Sequence, residues 1–240
     1  GPIKLWIGDG HGHFSDSTSV SRIPGGYAAT GLTFADVNGD GHLDLYVATY
    51  KTRNILDVYP PAQLTFNRVV RKVDDHYEVL PEWQKDYRIE DRPDLGGVIR
   101  SQRADPDLFL INDGKGHFTR TPISGPRFVD ENGKPLAQEP DYFTLAARFY
   151  DVNGDGAPDL YVCNDFDDPD QFWINDGKGN FHLLAGVAMR ETSNTCMSVD
   201  FGDVNRDGHV DLFTADMMSR TLEERQQQFP TNAPMPKPIG

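Results

Sequence analysis

An all-β fold, a β-propeller of four-stranded blades, is what the sequence predicts. Three observations carry that expectation: a nine-residue aspartate loop used three times, a glycine-rich turn used three times, and a base repeat of 52 residues that holds both. The loop reads DVNGDGHLD from Asp36 to Asp44, DVNGDGAPD from Asp151 to Asp159, and DVNRDGHVD from Asp203 to Asp211. In each copy, side-chain oxygens recur at every second position and return at the ninth. That spacing suits a short turn wrapped around a hard cation.

Calcium is the expected ion, because it takes six to eight oxygen ligands at about 2.3–2.6 Å in forgiving geometry, while magnesium demands a tighter octahedron and keeps its waters. The candidate ligands are Asp36, Asn38, Asp40 and Asp44 in the first loop, with the backbone carbonyl of His42 as the fifth. The second loop offers Asp151, Asn153, Asp155 and Asp159 with the carbonyl of Ala157, and the third Asp203, Asn205, Asp207 and Asp211 with that of His209. Glycine at the sixth position allows the positive φ of a sharp turn. A twelve-residue EF-hand loop would need a bidentate acid at position 12 and flanking helices. Position 12 is instead Val47, Val162 and Thr214, inside apolar runs that read as strands. A phenylalanine stands two residues before every loop (Phe34, Phe149, Phe201), so each loop is expected to join two strands of a hairpin.

The second motif has the form (N/G)DGxGxF and runs from Gly8 to Phe14, Asn112 to Phe118 and Asn175 to Phe181. It reads as a tight turn between strands. Leu5–Ile7, Phe109–Ile111 and Phe172–Ile174 precede the three copies as apolar strands. Turn to loop takes 28 residues twice and loop to turn 24 once, which together make the 52-residue unit of four strands. On this reading residues 1–216 are a partial propeller: a half blade, two whole blades and a half blade. The first half blade is expected at about Lys4–Ile7 and Gly12–Ser15. A stretch at about 51–103 carries neither motif and reads as an elaborate inserted loop, with a short helix near Pro81 to Tyr87. A smaller excess near Gly125 to Pro140 reads as a surface loop rich in Gly, Pro and Asn. Residues 217–240 read as an extended tail with one helical turn at Thr221 to Gln227.

Lys and Arg number 23 against 37 Asp and Glu, a net charge of −14. Nucleic acid and anionic membranes need a basic footprint and are excluded as partners. Three divalent ions would bring the charge to −8, so part of the acidity is a metal signature. No run of eighteen apolar residues is present to span a bilayer. Cys163 matches Ala48 and Ala215 in the repeat, and Cys196 matches Ala29 and Thr144. Both cysteines therefore read as buried small side chains rather than a reactive pair. Whether they bridge is open at this level.

The strings DVNGDGHLDLYVAT, DVNGDGAPDLYVCN and DVNRDGHVDLFTAD, with NDGxGxF between them, resemble the FG-GAP, or VCBS-like, repeat family, which includes integrin α-subunit propellers and the cartilage-acidic-protein-like group. Phe201-Gly202 keeps the FG pair, while Phe34-Ala35 and Phe149-Tyr150 depart from it. The resemblance implies a propeller, often seven-bladed, with calcium in the hairpins between first and second strands. It also implies an exported, periplasmic or cell-surface protein that binds protein or carbohydrate through its loops. Some calcium-bearing propellers are carbohydrate lyases or dehydratases, and an incomplete ring could serve as a subunit of a larger assembly. Those two readings are the alternatives. The acid-base supply for an enzyme would be the cluster Asp74, Asp75, His76, Tyr77 and Glu78, near Trp83 and Tyr87. His11, His13, His117 and Asn180 read as plain turn residues, and His42 and His209 as solvent-facing.

Overall fold

The computed structural model describes residues 3–92, 97–165, 168–186, 193 and 195–217. The tail expected beyond 217 lies outside the described residues. Strands run in chain order as β1 (Trp6–Gly8), β2 (Phe14–Asp16), β3 (Ala29–Ala35), β4 (Asp44–Thr49), β5 (Val70–Val73), β6 (His76–Val79), β7 (Tyr87–Arg92), β8 (Gly97–Gln102) and β9 (Leu108–Asn112). They continue as β10 (Phe118–Thr121), β11 (Gly125–Val129), β12 (Pro135–Leu136), β13 (Thr144–Tyr150), β14 (Asp159–Asn164), β15 (Gln171–Asn175), β16 (Phe181–Leu183), β17 (Cys196–Gly202) and β18 (Asp211–Asp216). The chain divides into two compact units, one of Gly1–Thr52 with Asp105–Met217 and one containing Arg53–Ala104.

In the first unit every aspartate loop joins two antiparallel strands, β3 to β4, β13 to β14 and β17 to β18. Every glycine-rich turn likewise joins β1 to β2, β9 to β10 and β15 to β16. The first half unit sits one to two residues later than the expected strand bounds. β4 pairs directly with β9, giving a sheet of order β10-β9-β4-β3, although some sixty residues of chain separate the two strands. In register, Leu45 faces Leu110, Tyr46 faces Phe109 and Val47 faces Leu108. The same pairing recurs one repeat later, with Leu160 opposite Trp173 and Tyr161 opposite Phe172.

β4 and β14 are buried at every residue, as expected of second strands covered on both faces. Between the two sheets lies a cluster of Val37, Tyr46, Phe109, Phe149, Leu160, Val162, Trp173 and Phe181. Phe128 completes it, fully buried, stacked on Phe181 at 5.1 Å and edge-on to Trp173 at 5.5 Å. This corrects the expected surface loop near Gly125 to Pro140. β11 and β12 form a hairpin there, and β11 adds parallel to β16, extending the second sheet to the order β12-β11-β16-β15-β14-β13. A single aromatic among Gly, Pro and Asn has no period to announce burial, and only the neighbouring sheet offers it a cavity.

Cys163 and Cys196 are buried, as their small-residue neighbours in the repeat suggest, but they do form a disulfide, and the reading against a pair is corrected. Cys163 lies on β14 and Cys196 on β17, strands of consecutive repeats whose close packing brings the two sulfurs together.

The second unit is likewise more than a loop. β5 pairs with β6 and β7 with β8, as two separate two-stranded sheets. Short 3-10 turns at Ile55–Asp57 and Pro61–Gln63 precede the first pair, and one at Pro81–Trp83, in place of the expected helix, connects the two pairs. Ile55, Leu64, Val69, Val70, Val79 and Tyr87 make a small core of its own. The apolar residues are spaced irregularly along the chain, so no strand period marks them.

Candidate metal centres

The three aspartate loops share one hydrogen-bond pattern. In the first, Asp36 Oδ1 accepts from the amides of Gly39 (2.8 Å) and Asp40 (3.1 Å), and its Oδ2 accepts from Gly41 (2.8 Å). Asn38 Oδ1 accepts from the Asp40 amide at 3.0 Å, and Asp40 Oδ1 from the His42 amide at 2.8 Å. The second loop repeats each contact, from Asp151 with Gly154, Asp155 and Gly156 through Asp155 with Ala157. In the third, Asp203 holds Asp207 and Gly208, and Asp207 holds His209. The sixth-position glycines take φ of 84°, 88° and 85°, the left-handed region that a side chain would strain. At position 4, Gly39 and Gly154 are also left-handed, and Arg206 is forced into the same region at φ 62°.

The ninth-position aspartate has a role that sequence spacing does not reveal. Asp44 is fully buried, its Oδ2 accepts from the Val37 amide at 3.2 Å, and its Oδ1 accepts from the Asn112 amide of the glycine-rich turn at 2.9 Å. Asp159 repeats this with Val152 and Asn175. One carboxylate thus ties the loop to the neighbouring turn. Burial, and then the negative charge of the other two loop aspartates, pushes both carboxyls above their ordinary range. Asp211 holds Val204 at 3.0 Å, with no glycine-rich turn beside it among the described residues.

Two features of the loops fit a hard cation. First, the donors are carboxylate and amide oxygens. A carboxylate has about four acceptor positions, so Asp36 with three amides, Asp40 with two donors and Asp44 with two keep capacity for a metal. Second, none of the nine loop carboxylates has a Lys or Arg partner among the described residues. The carboxylates of one loop do not converge within 4.8 Å of one another, a spacing that among the described residues only Cys163, Asp170 and Cys196 meet. The Cys163–Asp170–Cys196 group is not a metal centre while its sulfurs are bonded to each other.

His42 is exposed, yet its ring lies against Gly114 of the adjacent turn so closely that a methyl group on Gly114 would overlap it. Ala157 holds the equivalent place beside Gly177 but leaves room there, since a methyl group on Gly177 would meet its Cβ at 3.6 Å, an ordinary van der Waals contact. In the glycine-rich turns, Asp9, Asp113 and Asp176 accept from two turn amides each, and Oδ2 takes a side-chain nitrogen from His13 (2.9 Å), His117 (2.8 Å) or Asn180 (2.8 Å). The exchange of His for Asn is therefore constrained, because both place a nitrogen at the same reach. Those bonds hold Asp113 well below the carboxylate range, at about 2.

At the opposite ends of β4 and β14 is a second repeated clamp that the sequence reading passed over. Asp107 is buried, accepts from the Tyr46 hydroxyl (2.6 Å), the Thr49 amide (2.6 Å) and the Thr144 hydroxyl (2.8 Å), and so joins three strands. Asp170 accepts from the Tyr161 hydroxyl and the Asn164 amide, both at 2.8 Å. The signal was present in the repeated string DPDxFxIND, at Asp105–Asp113 and Asp168–Asp176. Burial pushes both carboxyls up to about 6, against hydrogen bonds that favour the ionised form. An unfolded aspartate titrates near about 3.9. Between about pH 4 and 6 the folded chain therefore binds more protons than the unfolded one, and stability falls as pH rises through that window. In chelator the chain should be roughly 1–3 kcal/mol more stable at about pH 5 than at about pH 7.5. A melting temperature that climbs steadily over that interval would contradict the assignment.

The acid-base cluster of the second unit is solvent-facing. Asp74 and Asp75 form the tip of the β5–β6 hairpin, and Glu78 is taken by Arg71 (3.0 Å) and His76 (3.0 Å). Trp83 packs on Tyr59 and Tyr77 on Phe66.

A family model for the FG-GAP-like repeat matches residues 1–47 and 151–214. Those two segments are similar to FG-GAP-like repeats. The matched segments contain all three aspartate loops and two of the three glycine-rich turns, whereas the second unit falls outside them. No curated protein matches the chain.

Proposed function

We propose that this chain is a calcium-binding β-propeller module of an exported or cell-surface protein, acting in protein or carbohydrate binding. The observation that carries the metal reading is the likeness of the three loops: the same oxygen ligands, a shared core of internal hydrogen bonds and, among the described residues, no Lys or Arg paired with their carboxylates. Asp36, Asn38, Asp40 and Asp44, with the His42 carbonyl, would hold the first ion. Asp151, Asn153, Asp155, Asp159 and the Ala157 carbonyl would hold the second, and Asp203, Asn205, Asp207, Asp211 and the His209 carbonyl the third. A bound ion would neutralise clustered carboxylates and brace the two strands of each hairpin.

The propeller reading rests on the four-stranded sheet β10-β9-β4-β3 and the matching four strands β16-β15-β14-β13 of the next sheet, which repeat one register and bury second strands on both faces. The disulfide, stable in an oxidising compartment, supports export. The acidic surface favours neutral or basic ligands over nucleic acid.

Isothermal titration with calcium after chelation is expected to show three sites. Free calcium at about a hundredfold over Kd stabilises by about 2.7 kcal/mol per site, or roughly 5–10 °C in melting temperature. Replacing Asp151 and Asp155 together by Asn should remove one site of the three. A chain whose melting is indifferent to both EGTA and calcium would end this reading.

A further inference from the structure

Two consecutive repeats build the same buried clamp with one exchange of chemistry. Asp107 reaches across to the first strand of the next repeat, where the Thr144 hydroxyl donates to it at 2.8 Å. Asp170 holds that place one repeat later, and there Cys196 takes the position of Thr144 and Cys163 that of Ala48. The Asp170 carboxylate and the two sulfurs lie within 4.8 Å of one another, and all three residues are buried. We propose that Cys163, Cys196 and Asp170 form a zinc site when the two sulfurs are reduced, so that β14 and β17 are joined either by a metal or by a bond.

The donors suit that ion. Zinc takes thiolate sulfur at about 2.3 Å and carboxylate oxygen at about 2.0–2.2 Å, in a tetrahedron. Two sulfurs on such an ion stand roughly 3.8 Å apart, and each lies roughly 3.5 Å from the oxygen. The three atoms already fall within that reach once the sulfurs are free to separate. Asp170 accepts from the Tyr161 hydroxyl and the Asn164 amide, both at 2.8 Å, and from the Ser193 amide. A carboxylate has about four acceptor positions, so one is left for a metal. The three donors also offset the negative charge that two thiolates and a carboxylate place around a divalent ion. Water completes the tetrahedron.

A bridged sulfur carries no hydrogen, so Cys196 cannot then serve Asp170 as Thr144 serves Asp107. Reduction restores a ligand at that position. A dithiol opens the bridge by exchange: its two thiols lose two electrons and two protons and close into a ring disulfide, while Cys163 and Cys196 gain them as thiols. Zinc then displaces both protons to water as two metal–sulfur bonds form. The aspartate loops offer oxygen alone, whereas thiolate favours zinc over calcium. The site is therefore separate from the calcium reading and does not rest on it.

Cobalt is the probe, added in saturating calcium to the 240-residue chain after reduction by dithiothreitol in mild denaturant, refolding and removal of the reductant without oxygen. One equivalent should give the near-ultraviolet thiolate-to-cobalt band, zinc should displace it, and the bridged chain should show none. Zinc should raise the melting temperature of the reduced chain, whereas an ion held by unfolded thiols would lower it. Asp170→Asn should weaken zinc binding at least tenfold. Cys196→Thr, which carries the residue of the preceding repeat and keeps the clamp, should abolish the band. No band on the reduced chain, a melting temperature that falls with zinc, undiminished affinity in Asp170→Asn or a band retained in Cys196→Thr would each overturn the proposal.

Discussion

Phe128→Ala should cost about 3–5 kcal/mol, an effect out of proportion to the Gly, Pro and Asn text around it. The ring is wholly buried and touches Phe109, Trp173 and Phe181 at centroid separations of 5.1–5.5 Å. Removing it opens a cavity between two sheets that cannot collapse, because β11 is pinned to β16 by backbone pairing at Phe128 and Val129. Chemical denaturation should show the loss with an unchanged slope. A change within about 0.5 kcal/mol, as for an exposed loop position, would mean that the segment is not part of the core.

Loss of the Cys163–Cys196 disulfide should be of similar size. The bridge closes a loop across a sequence separation of 33, worth about 3–4 kcal/mol in chain entropy. Because both sulfurs are buried, reduction should be slow in the folded chain and rapid in denaturant. Cys163→Ala with Cys196→Ala keeps small side chains at both positions, as Ala48 and Ala29 do in the first repeat. The loss therefore reports the covalent link more than packing. The melting temperature should fall by roughly 6–16 °C. Equal melting of the double variant and the parent would show that the packed strands, not the bond, hold the third hairpin.

How far the fold was legible follows from what repeats. Second strands such as Leu45–Tyr46–Val47 follow aspartate loops, and third strands such as Phe172–Trp173–Ile174 precede glycine turns, so two punctuation marks locate most of the first unit. Elements used once carry no such mark. β11 and the cores of the second unit consist of scattered apolar residues whose partners lie elsewhere in the chain. The candidate ligands were legible because an ion constrains neighbours along the chain. The Asp44–Asn112 and Asp107–Tyr46 bonds were not, because 68 and 61 residues separate their partners.

By itself, then, the sequence determined the repeat, the hairpins and the local loops, all of which depend on contacts within a few residues. Tertiary structure alone decided that Phe128 is core, that Cys163 meets Cys196, and that buried aspartates tie strands together. Those outcomes depend on which surfaces packing brings face to face, and no local pattern records the opposite face.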